Sequence, residues 1–433
     1  MNNVLRQDVF FYSERRFAMY DSFSLIEKIS YVRTSGSKEE TKAARTIARE
    51  CERFSVKGKL ESFPVDACRI RKAQLRFLDP EIEVDHVGVG MSGSTPAKGV
   101  EGDFVYVTSQ ADARITDLEG KIVMIAAKMV DNKTYKVLAK KGPAALILCT
   151  GDVYLDAEDV DLDPYKFRQR HYDLAKIPSV CIRMKDAEEI LLKSPKRAYA
   201  NLQQEEDKTD SHNVVAEIKG TEKPEEIIVF SAHYDSVSFS KGSYDNATGS
   251  ACILELLGYF MEHKPKRTVR FVWCGSEEEG LLGSKAYLKR HKKDIDRILL
   301  NINVDMVGVT LGKDIAVVTA NESLVNYLCY DSLIKGFPLE VRQGVYSSDS
   351  TPFADNGIPS LSFARIAPRG GAQIHSRRDV MDHLSEENYY RTCEYIEHFA
   401  DLMVNGAAFP VEREIPEKMK EELDYYNFRK ERK

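Results

Sequence analysis

The chain has 433 residues, of which 43% are hydrophobic and 30% charged. This composition suits about two or three folded domains and excludes a disordered or collagen-like chain. The 62 basic and 68 acidic residues give a net charge of −6, which argues against a general nucleic-acid binder because such a protein needs a basic surface. No apolar run is long enough to predict a membrane-spanning helix.

The N-terminal part of the chain predicts one helix and then a change of pattern. Ser37 and Glu40 form a capping box, and the apolar residues of 43–51 recur at helical spacing. From about residue 72 short strands and brief helices follow, and the polar, charged stretch 203–211 indicates a junction. Residues 1–12 lack the apolar segment of a secretory signal, so we expect a cytoplasmic protein, or a secreted one if the chain is a processed form.

The rest of the chain alternates between buried strands and long amphipathic helices. The predicted strands are 227–231, 269–274, 299–304, 315–319 and 358–363, and the predicted helices are 247–263, 281–293, 323–335 and 386–404. Such alternation is typical of a mainly parallel sheet covered by helices on both faces. We therefore predict an α/β fold in which a mainly parallel, mixed sheet is flanked by helices.

Polar side chains follow several of these strands directly. They are His233 and Asp235, Asp245 just before a helix, Glu277 to Glu279, Asp305, and His375 in a later loop. Functional groups gather beyond the carboxyl ends of parallel strands, so we expect these side chains to lie together. Two imidazoles and three carboxylates suit a pair of zinc ions, with one carboxylate bridging them and a further carboxylate acting as a base.

Each of these residues alone also has an ordinary structural explanation. His233 could stabilise a turn, the glutamates 277–279 could form a solvated acidic loop, and Asp305 could cap the next segment. Their joint placement at successive strand ends favours the metal site. The run Gly88–Gly93 has the letters of a dinucleotide-binding loop, but no helix is predicted to open at its last glycine, so we expect no nucleotide cofactor.

At these positions the sequence resembles the two-zinc aminopeptidases of metallopeptidase family 28. The matching stretches include 213–220, 231–236, 245–250, 277–284, 303–306 and 374–375, together with Ser348-Asp349, so the resemblance covers almost the whole chain. It implies a zinc-exopeptidase fold and an aminopeptidase that acts on peptides through a water activated by two zinc ions. We expect peptide substrates and no nucleic-acid or membrane partner, while the sequence contains no signal for an oligomeric state.

The resemblance also implies the ligands of both zinc ions. His233, Asp245 and Asp305 would hold one ion, and Asp245, Glu278 and His375 would hold the other, so that Asp245 bridges the pair.

Three further residues acquire roles by the same resemblance. Glu277 matches the general base that precedes the glutamate ligand, and Gly280 fixes this register among the three glutamates. Asp235 matches the carboxylate that orients the first histidine, a task outside the ligand set. Tyr346 is a candidate to stabilise the oxyanion.

The region 73–204 resembles a protease-associated domain, through residues 118–124, 140–147 and 177–180. We therefore predict a smaller, β-rich domain inserted into a catalytic domain formed by 1–72 and 205–433. It could limit access to the active site or be a passive spacer.

Other activities remain open on the same site. Carboxypeptidase or dipeptidase action would need a cation for the substrate carboxylate, and Arg365, Arg369, Arg377 and Arg378 follow or precede His375 closely. A receptor-like relative without catalysis should have lost ligands, whereas every ligand position here is filled. A glutaminyl cyclase would not be expected to contain the insertion.

Overall fold

The computed structural model describes residues 21–430. The strands of this part of the chain are β1 (Lys59–Leu78), β2 (Val87–Gly88), β3 (Val100–Tyr106), β4 (Ile122–Ile125), β5 (Ala145–Thr150), β6 (Ser179–Arg183), β7 (Arg197–Ile218), β8 (Lys223–His233), β9 (Arg267–Cys274), β10 (Ile298–Val304), β11 (Lys313–Thr319), β12 (Leu339–Gln343) and β13 (Ser360–Ile366). Its α-helices are α1 (Phe23–Ile29), α2 (Lys38–Arg53), α3 (Gln110–Ile115), α4 (Asn132–Lys141), α5 (Gln169–Tyr172), α6 (Met184–Lys193), α7 (Thr248–Glu262), α8 (Leu282–Arg290), α9 (Glu322–Lys335), α10 (Ser350–Asp355), α11 (Glu386–Asn405) and α12 (Glu417–Tyr426). Among these helices, none combines the length and the apolar character needed to span a bilayer.

The described residues form two compact units, one made of 21–63 and 211–430 and the other of 64–210. Both boundaries fall inside the long strands β1 and β7, which pair with each other. The predicted junction at 203–211 contains one of these boundaries, although its residues form part of the continuous strand β7. Most of their side chains are exposed, and a strand that is polar on both faces has the composition of a linker.

The first unit is built on a sheet of order β12-β11-β13-β10-β8-β9-β7. Its central strands β13, β10, β8 and β9 are parallel, whereas β11 and β7 run antiparallel to β13 and β9. This confirms the predicted mainly parallel, mixed sheet. The carboxyl ends of the four parallel strands therefore meet at one edge, which is where a site is expected.

Both faces of this sheet are covered by helices. On β8 the side chains of Ile228 and Phe230 enter a core with α1, α2, α7, α9 and α11, whereas those of Ile227 and Val229 pack with α8 and α10. Every residue of β9 is buried. Strands buried on both faces read as continuous apolar runs, and this is why the sequence identified them.

The second unit has its own sheet and its own apolar clusters. Strands β3, β4, β5 and β6 are parallel neighbours, and β2 pairs antiparallel with β6. Two clusters of buried side chains, around Ile147 and around Leu148, lie on opposite faces of β5. The unit thus combines strands with helices α3 to α6, and its protease-associated identity stays a prediction.

Candidate metal centre

The predicted ligands lie where the parallel strands of the first unit end. His233 is the last residue of β8, Asp305 follows β10 directly, and Glu278 follows β9 within a tight turn. His375 lies in the loop between β13 and α11, and Asp245 lies in the turn before α7, where its backbone is not helical. Residues far apart in the sequence are thereby brought to one edge of the sheet.

The first group consists of His233, Asp245 and Asp305, which offer ligand atoms within 4.8 Å of one another. His233 Nε2 lies 3.1 Å from Asp245 Oδ1 and 3.6 Å from Asp305 Oδ1. All three side chains are buried. An imidazole nitrogen and two carboxylate oxygens therefore converge where little of each side chain is exposed to solvent.

The second group consists of Asp245, Glu278 and His375, and it shares Asp245 with the first. His375 Nε2 lies 3.1 Å from Asp245 Oδ2 and 3.1 Å from Glu278 Oε1. The two oxygens of Asp245 thus face the two histidines. Glu279 belongs to neither group, so the geometry favours Glu278 among the three glutamates.

Asp235 connects β8 to the turn that carries Glu277 and Glu278. Its Oδ1 accepts a hydrogen bond from the backbone N–H of Glu277 at 2.9 Å, and its Oδ2 accepts one from the N–H of Glu278 at 3.2 Å. The same Oδ1 lies 3.5 Å from His233 Nδ1. The carboxylate is fully buried and holds the backbone of the turn that carries the base candidate, whereas His233 Nδ1 has no hydrogen-bond partner among the described residues.

Asp379 holds the turn of Asp245, a role that the sequence did not reveal. Its carboxylate accepts hydrogen bonds from the backbone N–H groups of Tyr244 at 2.7 Å and Asp245 at 3.1 Å. From the other side, buried Arg33 donates to the carbonyl oxygens of Tyr234, Lys241 and Gly242. Nothing in the local sequence around Arg33 predicts these contacts, because their partners lie some 200 residues away.

Asn246 and Gly249 bring the start of α7 against the end of β10. Asn246 Oδ1 accepts hydrogen bonds from the N–H groups of Gly249 and Met306, and its Nδ2 donates to the Val304 carbonyl at 3.0 Å. A Cβ at Gly249 would lie 2.3 Å from that carbonyl oxygen, so only glycine permits the approach. This contact sets Asp245 beside Asp305.

Burial and mutual repulsion perturb the carboxyl groups strongly. Burial, with the neighbouring Glu278 and Asp349, raises the pKa of Glu277 well above its ordinary value, against the opposing effect of His233. Burial and Asp245 likewise raise the pKa of Glu278. Burial opposes ionisation of Asp245 too, but hydrogen bonds from His233 and His375 lower its pKa.

The histidines respond in the opposite direction. Although burial disfavours their charged form, Asp245 and Glu278 raise the pKa of His375 to about 11. For His233, Glu277 and three further carboxylates outweigh burial and raise its pKa well above the ordinary value. The site thus attracts positive charge strongly, which a metal ion could supply in place of protons.

Two features of these residues suit a zinc ion, namely a buried oxygen without a hydrogen-bond partner and the mixture of donor types. Asp305 Oδ1 is buried and accepts no hydrogen bond from the described residues, since His233 lies beyond hydrogen-bonding distance. Leaving such an oxygen without a partner is costly, and a cation would satisfy it. Mixed imidazole and carboxylate donors suit zinc, whereas an oxygen-only set would favour magnesium or calcium.

Tyr346 and the arginines near His375 differ in their burial and in their partners. Tyr346 is half-buried, and burial together with the nearby charges of Asp305 and Asp245 raises the pKa of its phenol. Arg365 is buried, and its guanidinium lies 2.7 Å from the carboxylate of Asp314. It is therefore not available for a substrate carboxylate. The other arginines of this region, at positions 369, 377 and 378, are exposed.

Comparison with known proteins identifies one peptidase family and relatives that are an aminopeptidase and a carboxypeptidase by name. Residues 213–400 match the sequence model of Peptidase family M28. The chain is 27% identical over 391 residues to Aminopeptidase YwaD of Bacillus subtilis (strain 168), covering 85% of this chain and 80% of that protein. It is also 25% identical over 400 residues to Carboxypeptidase Q of Bos taurus, covering 86% of this chain and 82% of that protein.

Solved structures show the same fold. BSAP, a zinc aminopeptidase from Bacillus subtilis, superposes with a TM-score of 0.74 at 24% identity, over 91% of this chain and 98% of that chain. A Peptidase M28 precursor from Shewanella amazonensis gives a TM-score of 0.74 at 21% identity, over 92% of this chain and 95% of that chain. At such identities the similarity establishes the fold alone.

Residues 213–400 match Peptidase family M28 and contain both ligand groups, which defines this part of the chain as a metallopeptidase domain. Within that class, it is a Peptidase family M28 domain.

Proposed function

We propose that the protein is an aminopeptidase that holds two zinc ions and removes N-terminal residues from peptides. His233, Asp245 and Asp305 would hold one ion, and Asp245, Glu278 and His375 the other. The observation that carries the proposal is the shared carboxylate, since each oxygen of Asp245 lies 3.1 Å from a different histidine. Such sharing is the arrangement that a two-metal hydrolase requires.

The charge of the site supports two ions rather than one. Four carboxylates, Asp245, Glu277, Glu278 and Asp305, are grouped at this edge of the sheet, and burial of unpaired charge is costly. Asp235 and Asp349 add further buried carboxyl groups nearby, so two dications would balance more of the negative charge than one. The two groups offer separate ligand sets for them.

Glu277 would act as the general base. Zinc, when bound, polarises the scissile carbonyl and makes water nucleophilic near neutral pH. The Glu277 carboxylate would take a proton from the attacking water and pass it to the nitrogen of the leaving amine. Burial raises its pKa, which suits a group that must hold the proton between the two steps. Asp235 fixes Glu277 through its backbone N–H, and Tyr346 would donate a hydrogen bond to the developing oxyanion.

The acidity of the site favours recognition of an α-amino group over a carboxylate. Carboxypeptidase or dipeptidase action is the alternative, and the similarity to Carboxypeptidase Q keeps it open. Its cation would have to come from residues other than Arg365, which is paired with Asp314. A receptor-like protein without catalysis is the less supported alternative, because all five ligand positions are occupied by ligand residues.

A substrate panel separates these activities. We expect aminoacyl-anilides and free peptides to be cleaved from the N-terminus, N-blocked peptides to be resistant, and a chelator to abolish turnover until zinc is restored. Cleavage of N-blocked peptides from the C-terminus would support the carboxypeptidase alternative. Absence of hydrolysis in zinc-loaded protein that retains its metal would support the receptor-like one.

We further propose that the inserted region influences which peptides are accepted. The second unit has its own buried clusters, so it should fold as a separate, inactive domain when expressed alone. Joining residue 63 to residue 211 should change the preference for peptide length and leave zinc content unchanged. If long and short peptides are hydrolysed as by the full chain, the region is a spacer.

A further inference from the structure

The loop that carries His375, residues 367–379, reaches the same buried tyrosine at both of its ends. The phenolic O–H of Tyr244 donates a hydrogen bond to the carbonyl oxygen of Arg365, at the end of β13, at 2.5 Å. The backbone N–H of Tyr244 donates to Asp379 Oδ1, at the far end of the loop, at 2.7 Å. One residue thus contacts the chain where the loop begins and where it ends.

Tyr244 is itself attached to the strand end that carries Asp305. Its carbonyl oxygen accepts a hydrogen bond from Thr248 Oγ1 at 2.8 Å. The same hydroxyl accepts a hydrogen bond from the backbone N–H of Val307, two residues after Asp305, at 3.1 Å. The position of the central sheet is therefore passed through Thr248 to Tyr244.

The backbone of His375 needs support of this kind. Its φ of 56° lies in the left-handed region, which residues with a side chain adopt uncommonly. Such a conformation persists where the surrounding structure imposes it. Hydrogen bonds inside the loop join near neighbours, such as that from the N–H of Asp379 to the Ser376 carbonyl at 3.1 Å. They shape turns but do not attach the loop to the sheet, so the position of the imidazole depends on how the ends are held.

We propose that Tyr244 is a positioning residue of the second ligand group. By holding both ends of the loop 367–379, it keeps the imidazole of His375 against Asp245 and Glu278. The inference rests on the proposed two-zinc function and adds to it a residue that offers no ligand atom. A ligand that is already in place when the metal arrives binds it more tightly, so Tyr244 contributes to the affinity for the ion held by His375.

The first test is Tyr244→Phe in the full chain, which removes one oxygen atom and keeps the ring and the backbone contacts. Metal-free protein is titrated with zinc against a competing chelator, and the ion held by His375 is identified by its absence in His375→Ala. We expect the dissociation constant of this ion to rise about 10–100-fold, as for other groups that orient a metal ligand, and that of the other ion to be unchanged. At saturating zinc, kcat should equal that of the parent.

Tyr135→Phe is the matched control. Tyr135 is also buried, and its hydroxyl donates to the carbonyl oxygen of Ala175 at 2.9 Å within the second unit. The variant loses the same atom and the same type of hydrogen bond, so it reports the general effect of such a loss on stability. Both zinc affinities should be those of the parent.

The second test measures the loop directly and does not depend on activity. Hydrogen exchange of metal-free protein, followed by mass spectrometry, reports local opening of residues 367–379. We expect faster exchange of this segment in Tyr244→Phe than in the parent, and parental exchange in Tyr135→Phe. Saturating zinc should slow the exchange in Tyr244→Phe, because the bound ion then holds His375 in place.

Four outcomes would overturn the proposal. Parental zinc affinities and parental exchange in Tyr244→Phe would show that the hydroxyl does not hold the loop. Equal weakening of both ions would mean that Tyr244 supports only the shared ligand Asp245. A lower kcat at saturating zinc, with parental affinities, would assign Tyr244 to the reaction itself. In these three cases the two-zinc function stands, whereas a parent chain that binds a single zinc ion would refute that function together with this role.

Discussion

The two ligand groups of the site are held in different ways. His233 and Asp305, in the first group, end or directly follow central strands, and their side chains are only 2% and 6% exposed. His375, in the second group, lies in the loop after β13, and its side chain is 47% exposed. The sheet therefore fixes one group, whereas the other depends on a loop that solvent reaches.

This difference predicts unequal metal sites. Strand ends joined by backbone hydrogen bonds, such as that from Asp305 N to Phe363 O, keep the first group in place without metal. The second group depends on His375, which lies in a loop and is not fixed by the sheet. A ligand set that is less preorganised binds its metal more weakly. We therefore expect the ion held by His375 to dissociate first.

The largest effect should come from Asp245, because it belongs to both groups. Asp245→Ala should lose both ions and all measurable hydrolysis, whereas His375→Ala should lose one and keep about one ion per chain, as expected for a two-metal site. Metal content by mass spectrometry distinguishes them. His263→Ala, at an exposed histidine outside both groups, should retain the parent's metal content. Complete metal loss in His375→Ala would contradict separate sites.

The three glutamates after β9 provide the next test. Glu277→Gln should keep both ions and lower kcat by about 10²–10⁴, the usual contribution of a positioned general base. Glu278→Ala should lose metal and activity together, and Glu279→Gln should behave like the parent. If Glu279→Gln abolishes metal binding while Glu277→Gln stays active, the roles of base and ligand move one residue toward the C-terminus.

The central strands and the residues at their ends could be predicted from the sequence because the physical signal there is local. β9 and β10 are short apolar runs, and a charged residue that follows such a run is conspicuous. The predicted helix 386–404 and α11 differ by a single residue for the same reason, since its apolar face repeats over many turns. The roles of the site residues, including Tyr346, stay predictions.

Two supports of the site, Asp379 and Arg33, could not be predicted, because their signal is not local. Asp379 binds backbone groups more than 130 residues earlier in the chain, and Arg33 binds carbonyl groups about 200 residues later. Neither contact depends on the side chain of its partner, so no residue pattern marks it. β12 was missed for a different reason, since five residues of alternating polarity are too few to separate an edge strand from a loop.

Asp235 and Asp379 are not predicted ligands, but they hold the backbone on which the two ligand groups depend. Their variants therefore test how each group is held in place. Asp235→Asn should disturb His233 and Glu277, while Asp379→Asn should disturb the turn of Asp245, which both groups use. We expect each to reduce metal affinity or activity about 10–100-fold, the usual cost of losing a carboxylate that orients a ligand. Titration of metal-free protein with zinc measures this. An Asp379→Asn variant with unchanged affinity would show that Asn246 and Arg33 suffice to hold the turn.

The smallest expected effect concerns Glu40, whose buried carboxyl group contacts the turn that carries Glu277. It accepts hydrogen bonds from the N–H of Gly36 and from the hydroxyls of Ser211 and Ser276, the residue before Glu277. Burial, together with nearby Asp235, raises its pKa from an ordinary 4.5 to about 8. Glu40→Gln should preserve these hydrogen bonds, because a serine hydroxyl can accept as well as donate.

The sign of the pH dependence follows from proton binding. Between pH 4.5 and about 8 the folded chain keeps the Glu40 proton and the unfolded chain loses it, so the free energy of unfolding falls as pH rises. Glu40→Gln removes this fall, so its melting temperature relative to the parent should increase from pH 5 to pH 9. Glu39→Gln, at the exposed neighbouring position, controls for the loss of one negative charge on α2. Parallel curves for Glu40→Gln and the parent would mean that Glu40 ionises normally, and that the turn before Glu277 is held by a charged carboxylate.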